Sequence, residues 1–196
     1  MNSLTRLIPK EEYEKNWQPI HMQVFVNQYP PGFPFKNHDW KVILVPHSLN
    51  FDETVFHALA SLAKKEGDTE LVVDTWEVLD GSQSPIAIPW NYLGMLDAIG
   101  SLRSHFENHL YGKSGVWGIS CSNEHDLSYF GGAAEFSESL VAGLGGIEEV
   151  KRSFMLYNLE FARYEKKFLE NLLRNVGWEE GNWGGEDKGV RNRFEA

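Results

Sequence analysis

The stretch Gly115 to Phe136, GVWGISCSNEHDLSYFGGAAEF, constrains the fold more than any other part of the chain. A short apolar run gives way to a polar turn, then to a second, aromatic run, and a Gly-Gly step leads into a helix-forming segment. Alternating apolar runs bounded by turn residues read as strand, turn, strand and helix. Such a unit needs further strands beside it, and the rest of the chain offers them. Lys41 to Val45 and Glu70 to Leu79 have strand composition, as does His21 to Val26, and Pro85 to Ile88 reads as a short extended piece. Between His21–Val26 and Lys41–Val45 lies NQYPPGFPFKNHD, which Pro30, Pro31, Gly32 and Pro34 keep from regular structure.

Helices fill the intervals. Asp52 is placed as an N-cap for a helix to about Lys65 that Gly67 stops. Pro89 suits the first turn of a helix extending toward Leu110, with Gly94 and Gly100 weakening it. Ala133 to Leu140 reads as a helix ended by Gly143, Gly145 and Gly146. From Ile147 to about Val176, the residues Val150, Phe154, Tyr157, Phe161, Tyr164, Phe168, Leu172 and Val176 recur at three- and four-residue steps. That spacing predicts one long C-terminal helix with a single apolar face, packed on the protein's own sheet or on a second copy as a homodimer. The expected fold is α+β, a mostly antiparallel sheet packed against helices, as one domain over residues 1–176. Residues 177–196, acidic and rich in Gly and Trp, are expected to form a poorly ordered tail.

Composition narrows the function. A chain of 196 residues with 42% hydrophobic and 13% aromatic content is large and apolar enough to bury a core. Its apolar runs fall well short of the roughly 20 residues of a membrane span. The start, MNSLTRLIPKEEYEKN, lacks a secretory core, so a cytoplasmic location is expected. The net charge of −10 opposes binding to nucleic-acid phosphates and favours basic partners. A single cysteine excludes an internal disulfide and a Cys-based structural zinc site.

Catalytic patterns are thin. Cys121 with His125 is the alternative for a small hydrolase, with Asp74 or Asp126 as the distant acid, because an imidazole can raise the thiolate fraction. Against it, Cys121 ends an apolar run, where a buried cysteine is the common outcome. Ser120 and Ser122 do not sit in a Gly-x-Ser-x-Gly elbow. His105 and His109 lie one helical turn apart and are the alternative metal pair, yet Glu107 falls about 200° round the axis from His105 and no third ligand is evident. Gly131-Gly132 is followed by Ala133, Ala134 and Glu135 rather than the Lys and Ser or Thr of a phosphate loop. No cofactor, no metal and no catalytic residue is therefore expected.

Seven Trp, seven Tyr and twelve Phe remain to be placed. Tyr29, Phe33, Phe35 and Trp40 belong to the Pro-rich loop, and Trp178, Glu179, Glu180 and Trp183 to the acidic tail. They are the candidate partner-binding residues, since aromatics carry binding energy at protein interfaces. The other option is that loop and tail fold back and cap the sheet. Trp117-Gly118-Ile119, Ser122 with Glu124, Gly131-Gly132 and Glu135-Phe136 together resemble the pattern of several immunity proteins of bacterial polymorphic-toxin systems. The resemblance spans about 22 of the 196 residues. It implies a small acidic α+β protein that binds and neutralises a toxin domain, possessing no catalysis of its own. An acidic binding protein with a basic toxin partner is the expected function.

Overall fold

The computed structural model describes residues 4–47, 49, 52–75, 84–100 and 106–178. Among the described residues seven strands form one antiparallel sheet: β1 (Arg6–Leu7), β2 (Lys41–Pro46), β3 (Glu70–Thr75), β4 (Ile86–Pro89), β5 (Asn108–Tyr111), β6 (Trp117–Ser122) and β7 (Leu127–Gly132). Their spatial order is β1-β4-β3-β5-β6-β7-β2. The helices are α1 (Lys10–Asn16), α2 (Gln18–Val24), α3 (Glu53–Lys65), α4 (Tyr92–Gly100), α5 (Ala134–Gly143), α6 (Ile147–Tyr157) and α7 (Lys166–Asn175). The fold is α+β, as the sequence predicts, and the strand-turn-strand-helix unit is β6, the 123–126 turn, β7 and α5.

Register assigns the two faces of the sheet. The pairs Leu110↔Ile119↔Phe130 share one face, and His109↔Ser120↔Tyr129 share the other, because successive residues of a strand alternate. Phe136 of α5 stacks on Trp117 on the first face, and Phe56 of α3 reaches the same cluster through Trp90. On the second face α2 lies close to the backbone. A Cβ on Gly118 would come within 2.7 Å of the Phe25 ring, and one on Gly131 within 2.8 Å of the Phe35 ring at Cζ. Glycine is required at both positions so that the aromatic rings can rest on the strands themselves.

Three expectations fail for identifiable reasons. His21 to Val26 is not a strand: Trp17, Ile20 and Val24 are spaced for one helical face, and Pro19 suits the first turn of α2. Phe25 alone is extended, bridging to Phe35. The helix is described over Tyr92–Gly100 and does not reach Leu110, because Asn108–Tyr111 is a buried strand, β5, between β3 and β6. Its Asn108 side chain is matched inside the sheet, Thr75 Oγ1 donating to Asn108 Oδ1 at 2.8 Å and Asn108 Nδ2 donating to Phe106 O at 2.6 Å. His109 therefore lies on a strand, which removes the one-turn helical pairing with His105; His105 falls outside the described residues.

The long C-terminal helix is the third. α6 ends at Tyr157, a π-helical turn occupies Asn158–Ala162, Arg163 adopts a left-handed conformation with φ of 49°, and α7 begins at Lys166. Asn158 fixes the break: its carbonyl accepts from Arg163 N at 2.7 Å and its side-chain Oδ1 from Tyr164 N at 2.9 Å. Val150, Phe154 and Leu172 are buried within the chain, so this part of the apolar stripe packs on the protein itself. Phe161, expected on that stripe, is 68% exposed. Trp178 is not part of a loose tail. It is buried, packs edge-on to Phe154 and donates its backbone N–H to Leu173 O at 2.7 Å.

Candidate functional site

The 123–126 turn joins β6 to β7, and its residues are held from below by a buried carboxylate. Glu107, 3% exposed, accepts from Ser122 Oγ and from Glu124 N, each at 3.2 Å. Ser122 Oγ also lies 3.2 Å from His125 Nδ1. The His125 ring stacks on Phe168 of α7 at 4.6 Å, and its carbonyl accepts from the Tyr164 hydroxyl. Thus β6 and α7 together fix the direction of the turn.

Beside this turn opens a groove of about 590 Å³, lined by His47, Glu124, His125, Asp126, Tyr157, Phe161, Ala162 and Tyr164. Each wall has a local cause. His47 follows the last residue of β2 with φ of 68°, and its carbonyl accepts from Ser128 Oγ of β7 at 2.9 Å. Asp126 closes the turn with φ of 45°, and its Oδ2 accepts from the Tyr157 hydroxyl and lies 3.4 Å from His47 Nδ1. The His47 ring meets Tyr157 edge-on at 4.6 Å, and Tyr157 stacks with Phe161 at 5.5 Å. The π-helical turn presents Phe161 to this space. The described chain has three non-glycine residues with positive φ, and two of them, His47 and Asp126, line the groove while Arg163 adjoins its Ala162 and Tyr164. Backbone of that kind persists only where the surroundings hold it, and it gathers at functional sites.

Electrostatically the groove is acidic. Burial holds the His125 imidazole below its usual range, against the opposing pull of Glu124, so this ring is neutral near pH 7. Burial, followed by the bond to Asp126, pushes the Tyr157 phenol up, so it keeps its proton and acts as donor. Glu124 and Asp126 are the carboxylates among the described lining residues, and lysine and arginine are not among them.

Neither Ser122 nor Cys121 has the geometry of an activated nucleophile. A Ser-His-acid triad places the imidazole between hydroxyl and carboxylate. Here the hydroxyl of Ser122 stands between them, and Ser122 is 2% exposed. Cys121 and His125 do not meet either. Cys121 points to the sheet face opposite Ser122, is fully buried, and accepts from Ser128 Oγ at 3.4 Å. Burial pushes its thiol up to about 12, so the thiolate is scarce at neutral pH. Asp74 belongs to another cluster, beneath α1 and α2: it accepts from the Tyr13 hydroxyl and lies 3.9 Å from His21 Nε2, which is 2.8 Å from His109 Nδ1. No group of three or more His, Cys, Asp or Glu is arranged to hold a metal among the described residues.

The remaining candidates divide by burial. Phe35 and Trp178 are core residues. Phe33 and Trp40 are half-buried against Phe35, so the Pro-rich loop caps the sheet. Tyr29 stays 43% exposed. Glu179, Glu180 and Trp183 lie outside the described residues. Sequence reading missed His47, Tyr157, Phe161 and Tyr164 as groove residues; the one available signal was Asn158, a residue suited to helix ends, within an otherwise uniform helical pattern. No described helix is long and apolar enough to cross a membrane. Comparison with family models, curated proteins and solved structures returns no match.

Proposed function

We propose that the protein is a non-catalytic, acidic protein-binding module that receives a basic partner at this groove. Following the immunity-protein resemblance, we take that partner to be a toxin domain that the protein neutralises. The observation carrying the reading is Phe161, a large aromatic 68% exposed and stacked on Tyr157 at the rim of an acidic groove. A solvent-facing aromatic of this size contributes little to folding, whereas inserted against a partner it supplies apolar contact beside complementary charge. The net charge of −10 speeds encounter with a cationic protein. The hydrolase alternative lacks support, since the side chains that could attack, Cys121 and Ser122, are both buried.

The test is affinity capture from the native host at low and moderate salt, using the wild type, Cys121→Ala and the double variant Tyr157→Ala/Phe161→Ala. The expected result is one basic partner, retained by Cys121→Ala, weakened by salt and lost with the double variant. Capture that ignores the groove, or a Cys121 thiol that alkylates faster than a model peptide, would count against the reading. Growth rescue on co-expression with the captured protein then tests neutralisation.

A further inference from the structure

We propose that α1 and α2 form an acid-released cover on the second face of the sheet, latched by the hydrogen bond between His21 and His109. The inference stands apart from the groove and needs no partner protein. His21 Nε2 of α2 lies 2.8 Å from His109 Nδ1 of β5. A neutral imidazole has one donor and one acceptor nitrogen, whereas an imidazolium has two donors. The bond therefore holds while at least one of the two rings is neutral. A second proton converts the remaining acceptor into a donor, so that two N–H groups meet between like charges. One proton on the pair is compatible with the latch, and two are not.

The cover has few other anchors. α1 is seven residues long with none buried, and α2 is seven residues long with Val24 buried. Helices of this length do not hold themselves and depend on what they dock against. Trp17, between them, meets Tyr111 of β5 edge-on at 6.3 Å, and Phe25, at the end of α2, stacks on the His109 ring at 4.0 Å with the planes 5° apart. His109 thus receives both the polar latch and the apolar contact of α2. The Phe25 face offers an imidazolium about 0.5–2 kcal/mol of attraction. Full burial of a charge costs more than that and holds His109 well below its usual range.

The charged and titratable groups that face the pair come from every neighbouring element. Asp74 of β3, which accepts from the Tyr13 hydroxyl of α1, lies 3.9 Å from His21 Nε2 and favours a first proton there. Lys36, whose ammonium donates to Met22 O, opposes it. Tyr13, Tyr111 and Tyr129 keep their protons, and Glu107, on the same face of β5, is engaged by Ser122 Oγ and Glu124 N. Lifting the cover returns both imidazoles to an ordinary range near about 6.5. The open form then binds one or two protons more than the closed form, so its population rises about tenfold to a hundredfold per pH unit below that value.

The experiment is peptide-resolved hydrogen exchange of the full chain between pH 7 and 5.5, with each rate referred to that of an unstructured peptide at the same pH. Protection of residues 10–24 is expected to fall at least about tenfold over this range, while α3, α5 and α6 keep theirs. The double variant His21→Gln/His109→Gln is expected to abolish that selective loss, and His21→Gln alone, which keeps a donor for His109, to lessen it. The wild-type series decides the matter even if a variant fails to fold. Protection lost equally across all helices, protection of residues 10–24 that does not change with pH, or a selective loss that persists in the double variant would overturn the inference.

Discussion

Asp68 shows how much of this fold depends on single buried polar groups. It is 2% exposed and accepts from Ser114 N at 2.7 Å, Ser114 Oγ at 2.8 Å and Trp117 Nε1 at 2.7 Å, tying the start of β6 to the end of α3. A Cβ on Gly112 would overlap this carboxylate, so the adjoining turn is built around it. Asp68→Ala strands three donors and is expected to lower stability by about 3 kcal/mol in urea denaturation, with Asp68→Asn costing less. The buried pair His21 and His109 sets a pH dependence. Burial holds both imidazoles below their usual range; Asp74 opposes the shift at His21 and Lys36 reinforces it, while His21 reinforces the shift at His109. Tyr13 and Tyr111 complete the surroundings as protonated phenols. The unfolded chain takes up protons near pH 6.5 that the folded chain refuses. These groups therefore leave stability intact above that pH and erode it as pH falls below, seen as a urea midpoint that is flat above neutrality and declines on acidification. A midpoint rising between pH 7 and 5 would contradict the assignment.

At the scale of elements, the break between α6 and α7 matters most. Asn158→Ala removes the acceptor for Tyr164 N and is expected to cost about 1–2 kcal/mol and to weaken partner binding, because Tyr157, Phe161 and Tyr164 all depend on that turn. Arg163→Gly relieves a left-handed residue and is expected to stabilise by up to about 1 kcal/mol with binding preserved. Denaturation and capture on the two variants check both statements. The same break marks where sequence reasoning stopped. Asp52 capping α3 and the β6–β7 unit were legible because each is a local pattern. The apolar stripe through α6 and α7 was legible as a period, but the π-helical turn inside it depends on Asn158 bonding to residues five and six positions on. β5 was missed because Asn108 and His109 are polar, and their partners Thr75 and His21 come from distant segments. Of the candidate site, the acidic turn residues were visible and the aromatic wall was read as core.

For the whole molecule, a sheet packed on both faces supports one open, acidic and aromatic groove at the end of the β6–β7 hairpin. β2, at one edge of the sheet, is packed against α6 and α5, whereas β1 at the other is only two exposed residues. Exposed apolar side chains also occur away from the groove, including Leu7 at 67% and Leu93 at 61%. These supply an internal comparison for the central claim that the partner docks at the groove. The most direct measurement places a photoreactive phenylalanine analogue at position 161 or, separately, at position 93, and crosslinks each full-length protein in its host. Crosslinking of a basic partner from position 161 and not from position 93 is the predicted result. Crosslinking from position 93 alone, or no partner from either, would contradict the account.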